Sequence, residues 1–217
     1  MAVVTTTHRK SIIAADNHVL HKLHSLTGIV PIGIFLVQHL TLNSFALAGP
    51  EKFNAVIDFF NKTMPRHILH VLEWGFIFLP LLFHALYGLV ITAHGQVNVG
   101  QYGYWRNWMY LLQRVTGVLL VVFIATHVWG TTISHRLFGT NIYYDGMKEY
   151  FNNGWLVAFY LLGITSATFH LANGIWNFAI RWGITVSERS QQVSAKVCAV
   201  IFVLLTALGW TALFAFR

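Results

Sequence analysis

The amino-acid sequence predicts an all-α integral membrane protein with five transmembrane helices. Three observations carry that expectation. Charged residues make up only 10% of the 217-residue chain, against roughly 25% in soluble domains. Apolar residues make up 56% and gather into five runs, each of about 20 residues, enough to cross roughly 30 Å of hydrocarbon at about 1.5 Å per residue. Trp105, Trp108, Trp155 and Trp182 stand at run ends, where amphipathic rings anchor in the headgroup region. Helices are the expected spanning form because each closes its own backbone hydrogen bonds in a medium without water.

The first 22 residues are polar and lack the apolar core of a cleavable signal. They are expected to form a cytoplasmic N-terminal tail, with the first run acting as the insertion signal. The spans then fall at about 26–47, 68–92, 109–132, 155–180 and 197–216, and 1–217 reads as a single membrane domain. Between the first two, Phe53, Val56, Ile57 and Phe60 recur at helical spacing, which suits a short interfacial helix or an ordinary covering loop. Tyr143, Met147, Tyr150 and Phe151 hint at a second such element before the fourth span. With the N-terminus inside, eight Lys and Arg fall on the inner side and six on the outer, a slight positive-inside bias.

The net charge of +7 does not point to nucleic acid, because the basic residues sit singly at run ends. Cys198 is the sole cysteine, which excludes a disulfide framework and a cysteine-ligated cluster. No GxGxxG or P-loop pattern occurs.

The chemistry lies in four histidines. His39, His84, His127 and His170 fall one on each of the first four spans, well inside the apolar runs, where an ionisable group marks a functional site by default. His39 is eight residues before Leu47 and His127 five before Thr132, so both lie in the outer half. His84 is eight before Thr92 and His170 ten before Ile180, which places both in the inner half. Two histidines at one depth on different helices can ligate one metal from opposite faces. No Asp or Glu lies within a helical turn of any of them, which disfavours zinc or non-haem iron. Two imidazoles and nothing else suit haem iron, whose porphyrin supplies four nitrogens. The expected architecture is therefore five helices bundled around two b haems, an outer one on His39 and His127 and an inner one on His84 and His170.

Local sequence agrees. Phe83-His84 with Gly88, and Phe169-His170 with Gly174, share an F-H-x-x-x-G pattern. Each glycine lies one turn from its histidine, admitting a flat macrocycle or simply close helix packing. Pro80, four residues before His84, is expected to disturb its helix. Arg181, about 16 Å along the helix from His170, and Ser25 are the favoured partners for haem propionates, with Lys22, His24 and Arg114 at a similar level.

These residues carry a resemblance. LHSLTGIVPIGIFLVQHL (23–40), LPLLFHALYGL (79–89), GQYGYWRNWMYLLQRVTG (100–117), THVW (126–129) and FHLANGIWNFAIRWGITVSERSQ (169–191) closely resemble the cytochrome b membrane subunit of succinate:quinone oxidoreductases, in its five-helix, di-haem form. The resemblance implies that the four histidines are axial ligands, paired by depth as above. It implies a flavoprotein with covalent FAD and an iron–sulfur subunit on the cytoplasmic side, a bacterial cytoplasmic membrane and a cytoplasmic N-terminus. It also implies a membrane quinone, menaquinone in the two-haem members. His21-Lys22 stands where some members carry arginine, so the propionate contacts are open.

Quinone reduction takes two electrons and two protons, so a proton-exchanging group near a haem is required. Glu73 is the one carboxylate inside a predicted span, five residues from its outer end and about 16 Å outward of His84. It is the candidate, with His67 or His70 assisting; an interfacial pairing with Arg66, His67 or His70 is the structural alternative. The chain itself has no flavin motif or succinate site. A fumarate reductase anchor oxidising menaquinol would use the same residues. A di-haem cytochrome b of a hydrogenase or formate dehydrogenase would not be expected to carry the GQYGYWRNWM and WGITVSERSQ stretches. A haem-free transporter with histidine proton relays predicts broken helices or inverted repeats, whereas these runs are interrupted only by Pro31 and Pro80.

Overall fold

A computed structural model describes residues 17–217, and within them every regular element is helical. The first 16 residues of the predicted tail lie outside the described residues. Five helical stretches are long and apolar enough to cross a bilayer: His18–Ala48, Arg66–Ala93, Trp105–Phe138, Gly154–Arg181 and Glu188–Phe214. We call the end of the bundle that carries His18 and Arg181 proximal and the opposite end distal.

The first span starts earlier than its apolar run because Asn17 caps it. Its side-chain oxygen accepts from Val19 N and Leu20 N at 3.1 and 3.2 Å, satisfying N-terminal donors that would otherwise lack partners. The end of the predicted tail is thus the first turn of α1 (His18–Ile29). Pro31 opens α2 (Pro31–Asn43), and Val30 N still bonds Leu26 O at 2.9 Å, so the span runs on through the proline. A 3-10 turn, Ser44–Ala48, ends it.

Both interfacial elements are helices. They are α3 (Pro50–Asp58), continued by a π-helical turn at Phe59–Thr63, and α8 (Tyr144–Tyr150). Asn54 Oδ1 accepts from Tyr144 N at 2.9 Å, and Asp58 Oδ1 accepts from Tyr143 OH at 2.7 Å. Phe53 and Phe151 pack with Leu213 and Phe216, closing the distal end with a dry aromatic cap.

The second span comprises α4 (Arg66–Val71), a π-helical stretch Leu72–Phe78, and α5 (Leu79–Ala93). Pro80 explains the widening: its ring crowds the carbonyl four residues back and it has no N–H to donate. The predicted disturbance therefore takes the form of a π stretch just before the proline. The third span runs as α6 (Trp105–Val128), a π turn Trp129–Ile133 and α7 (Ser134–Phe138). It stops at Gly139, whose φ of 67° is the left-handed conformation that suits glycine after a helix.

The fourth span, α9 (Gly154–Arg181), is the central post and the most buried. It packs on α1, on α6 and on α10 (Glu188–Phe214), which also lies against α2. Thr168, fully buried, shares a 2.7 Å hydrogen bond with Thr206 across α9 and α10, the kind of interhelical polar contact that orders helices in lipid. Outward residues such as Val200, Val203 and Leu204 remain exposed as a lipid face. α10 begins nine residues before its apolar run because Ser187 caps it, accepting from Ser190 N.

Candidate functional site

Helix rotation brings the four histidines together in two pairs. His84 on α5 and His170 on α9 lie with ring centroids 6.2 Å apart and planes at 82°. His39 on α2 and His127 on α6 lie 5.7 Å apart with planes at 81°. A metal–imidazole bond of about 2.0–2.1 Å and a ring radius of about 1.1 Å put two centroids about 6.3 Å apart across one metal. The proximal pair has that spacing, and the distal pair is slightly tighter.

The proximal rings are held from behind. His84 Nδ1 lies 3.0 Å from the backbone oxygen of His24, whose own ring stacks on His84 at 4.0 Å. His170 Nδ1 lies 3.2 Å from Thr116 Oγ1, and that hydroxyl donates to Leu112 O at 2.7 Å. With the hydroxyl proton so placed, the Thr116 oxygen accepts from the imidazole N–H. Both rings are therefore fixed with Nδ1 protonated and Nε2 free, the arrangement that orients a metal-ligating histidine. Gln113 adds a bond from Nε2 to His170 O at 3.1 Å and accepts from Asn173 at 2.6 Å, locking α6 to α9.

The distal pair is supported differently. His127 Nδ1 lies 3.2 Å from Tyr160 OH, and that oxygen lies 3.4 Å from Tyr150 OH. His39 Nε2 is 3.4 Å from the Asn43 amide, which is committed more tightly to His39 O at 2.8 Å. π-helical segments flank this half of the bundle at Leu72–Phe78 and Trp129–Ile133.

Two glycines press on the candidate ligand rings, and neither belongs to the F-H-x-x-x-G pattern. A Cβ on Gly28 would sit 2.5 Å from His84 Cε1, and one on Gly117 would sit 3.1 Å from His170 Cε1. A Cβ on Gly88 would instead sit 3.1 Å from His24 Nε2, and one on Gly174 would meet Gln113 at an ordinary 3.6 Å.

The expected propionate partners share the proximal end. Ser25 Oγ donates to Lys22 O at 2.9 Å and accepts from Trp182 Nε1 at 3.1 Å; Arg181 reaches His21 at 3.2 Å. Arg114 lies with its guanidinium 3.3 Å over the Tyr110 ring, and its Nε is buried with no hydrogen-bond partner. A half-buried cation with one unsatisfied donor, in the proximal half of α6, fits an anionic substituent of a bound group.

Glu73 lies in the Leu72–Phe78 stretch with its side chain 17% exposed. Its Oε1 accepts from Arg136 at 2.5 Å, and its Oε2 lies 3.7 Å from His70 Nδ1. Among the described residues, these are the ionisable partners within 4 Å. His67 is not among them, and Arg136, 63 positions away on the third span, escaped the sequence reading.

Comparison with known proteins agrees with the architecture. The profile of the family described as succinate dehydrogenase/fumarate reductase transmembrane subunit matches residues 100–209. The succinate dehydrogenase cytochrome b558 subunit of Bacillus subtilis (strain 168) is 44% identical over 195 residues, covering 90% of this chain and 95% of that protein. With five membrane-length helices, the chain belongs to the succinate dehydrogenase/fumarate reductase transmembrane subunit family.

Proposed function

We propose that this subunit holds two b haems and carries electrons from an iron–sulfur partner at its proximal end to a membrane quinone at its distal end. The pairing of four intramembrane histidines at two depths, with ring spacings of 6.2 and 5.7 Å, carries the reading. His84 and His170 would hold the proximal haem, and His39 and His127 the distal one. Haem bound at each pair supplies reversible one-electron storage. The chain's own residues fix the ligand tautomers through His24 O, Thr116 and Tyr160. They also offer Arg114, with Arg181 and Ser25, to the propionates.

The proximal surface faces the cytoplasm in this reading, with the N-terminus inside a bacterial cytoplasmic membrane. Its polar cleft of about 450 Å3, lined in part by Arg106, Asn107 and Asn177, is turned toward the iron–sulfur and FAD-bearing partners. Glu73 is the distal carboxylate that exchanges protons with the quinone, opening from Arg136 to do so. With the cytoplasmic side negative, each electron moved to the distal side is driven by the membrane potential at about 2.3 kcal/mol per 100 mV, which suits a low-potential acceptor such as menaquinone. The fumarate-reducing direction would use the same residues in reverse.

A reduced-minus-oxidised spectrum with pyridine haemochrome quantification tests the reading. Two b haems per chain, with low-spin bis-histidine bands, are expected; a colourless protein from haem-replete cells overturns it.

A further inference from the structure

The F-H-x-x-x-G motif on α5 does not serve the His84 ring directly, because its Gly88 faces His24 on α1. A Cβ on Gly88 would sit 3.1 Å from His24 Nε2, closer than side chains ordinarily pack, so the bare glycine is what admits the His24 ring. That ring in turn lies flat on His84, with centroids 4.0 Å apart and planes within 10°, face to face in van der Waals contact. His24 therefore holds the candidate ligand twice. Its backbone oxygen accepts from His84 Nδ1 at 3.0 Å, and its side chain covers one face of the imidazole.

The distal pair repeats the arrangement with different residues. Phe123 lies nearly parallel to His127, with centroids 5.9 Å apart and planes at 19°. A Cβ on Gly163 would run into the Phe123 ring. In each pair, one histidine is backed by a parallel ring, and that ring rests on a glycine of a neighbouring helix. The other histidine stands edge-on, at 82° in the proximal pair and 81° in the distal one.

We propose that His24 is a positioning residue that clamps the His84 imidazole at right angles to that of His170, with Gly88 making room for the clamp. The inference rests on the reading that these two imidazoles ligate one haem iron. The angle matters because an imidazole donates π density along one direction only. Crossed planes load two iron dπ orbitals equally, keep them nearly degenerate and give the ferric state a strongly axial spin-resonance signal. Parallel planes split the orbitals and give a rhombic signal. The torsion that turns a histidine ring is broad, and a single Nδ1 hydrogen bond tolerates a range of turn. A flat ring against the imidazole face narrows that range, as outer contacts commonly do for metal ligands. A phenyl ring does this at the distal pair, so the face of His24 is the working part, not its nitrogens.

The test is electron spin resonance of the oxidised proximal haem in the intact complex, separated from the distal haem by redox poising. Wild type should give a strongly axial proximal signal, and a rhombic one overturns the clamp outright. His24→Ala keeps both ligands and should move that signal toward rhombic, lowering its largest g value while the distal signal stays. His24→Phe should restore the wild-type signal. An unchanged signal in His24→Ala overturns the clamp. So does a His24→Phe signal that moves as far as that of His24→Ala, because a nitrogen would then be the working group. Should His24→Ala not assemble, Gly88→Ala decides. Its methyl crowds His24, so the proximal signal alone should move, and an unmoved signal overturns the clamp. A colourless wild-type complex would instead sink the haem reading, a separately visible outcome.

Discussion

The two histidine pairs share one geometry and differ in what surrounds them. Around the proximal pair the backbone is regular α-helix, glycines press on both rings, and each Nδ1 has an acceptor that is itself fixed. Around the distal pair the helices widen into π turns. There one ring leans on a tyrosine that leans on another tyrosine, and a half-buried Glu–Arg pair stands nearby. A group that only relays electrons gains from invariance, since rigid surroundings lower reorganisation. A site that exchanges protons and a diffusible substrate needs groups that can move. Under the proposed function the difference makes the distal half the reactive one, and substitutions on each side should therefore fail differently.

The largest contrast lies in the ligands. His84→Ala or His170→Ala should leave one haem per chain and abolish succinate-driven reduction of the other, because the relay is cut at its entry. His39→Ala or His127→Ala should also leave one haem, yet that haem should still be reduced by succinate while quinone turnover is lost. Haem quantification with stopped-flow reduction checks both. Equal phenotypes on the two sides would break the proximal-to-distal order.

Next in size is Glu73→Gln. A positioned proton-exchanging group typically contributes about 10²–10⁴-fold, so quinone turnover should fall about 100-fold with both haems still reducible. Arg136→Ala should leave more of it, because the carboxylate remains and His70 stays within 3.7 Å. Unaltered turnover in Glu73→Gln would return the residue to a purely structural pairing with Arg136.

The tyrosine and threonine behind the rings sharpen the comparison further. Removing the acceptor of a ligand's Nδ1–H makes the imidazole a weaker donor to iron, which favours the reduced metal. Tyr160→Phe should raise the distal midpoint potential, and Thr116→Val the proximal one, each leaving the other haem unchanged. The shift should reach at most about tenfold in the one-electron equilibrium, about 59 mV. Redox titration of the two haems reads it directly, and a shift in both or neither would show that support is shared across the bundle.

How much of this was legible in the sequence follows from how local each signal is. The five spans and the four histidines could be read because apolar runs and a polar residue within one are properties of a few adjacent positions. Helix ends lie outside the apolar runs where Asn17 and Ser187 cap the chain and carry a helix through polar residues. The depth count grouped His39 with His127 and His84 with His170, because rise along a helix is fixed at about 1.5 Å per residue. The supporting contacts were hidden: Thr116 to His170, Tyr160 to His127 and Arg136 to Glu73 join residues 54, 33 and 63 positions apart. They depend on how each helix is rotated about its axis, which no run of adjacent residues specifies. Gly28 and Gly117 had a fainter signal, as small residues on helix faces, but nothing local says that an imidazole lies opposite.

The smallest expected effect concerns the cap over the distal end. Asp58 joins α3 to α8 through Tyr143, and Lys62 sits 2.8 Å from the same carboxyl. The hydrogen bond from Lys62, then that from Tyr143, holds the Asp58 carboxyl below its ordinary value of 3.8. A depressed carboxyl stabilises the fold fully above that value, and the contribution fades as pH falls through the lowered one. Asp58→Asn should therefore lower the melting midpoint at neutral pH by about 1–2 °C, as exposed ion pairs usually do. The deficit should vanish on acidification below the ordinary carboxyl range, where the wild type loses the same charge. A deficit that persisted in acid would mean that Asp58 acts through shape rather than charge. The cap would then be tied by Asn54 and the buried aromatic cluster, making the distal closure stiffer than the π turns beneath it suggest.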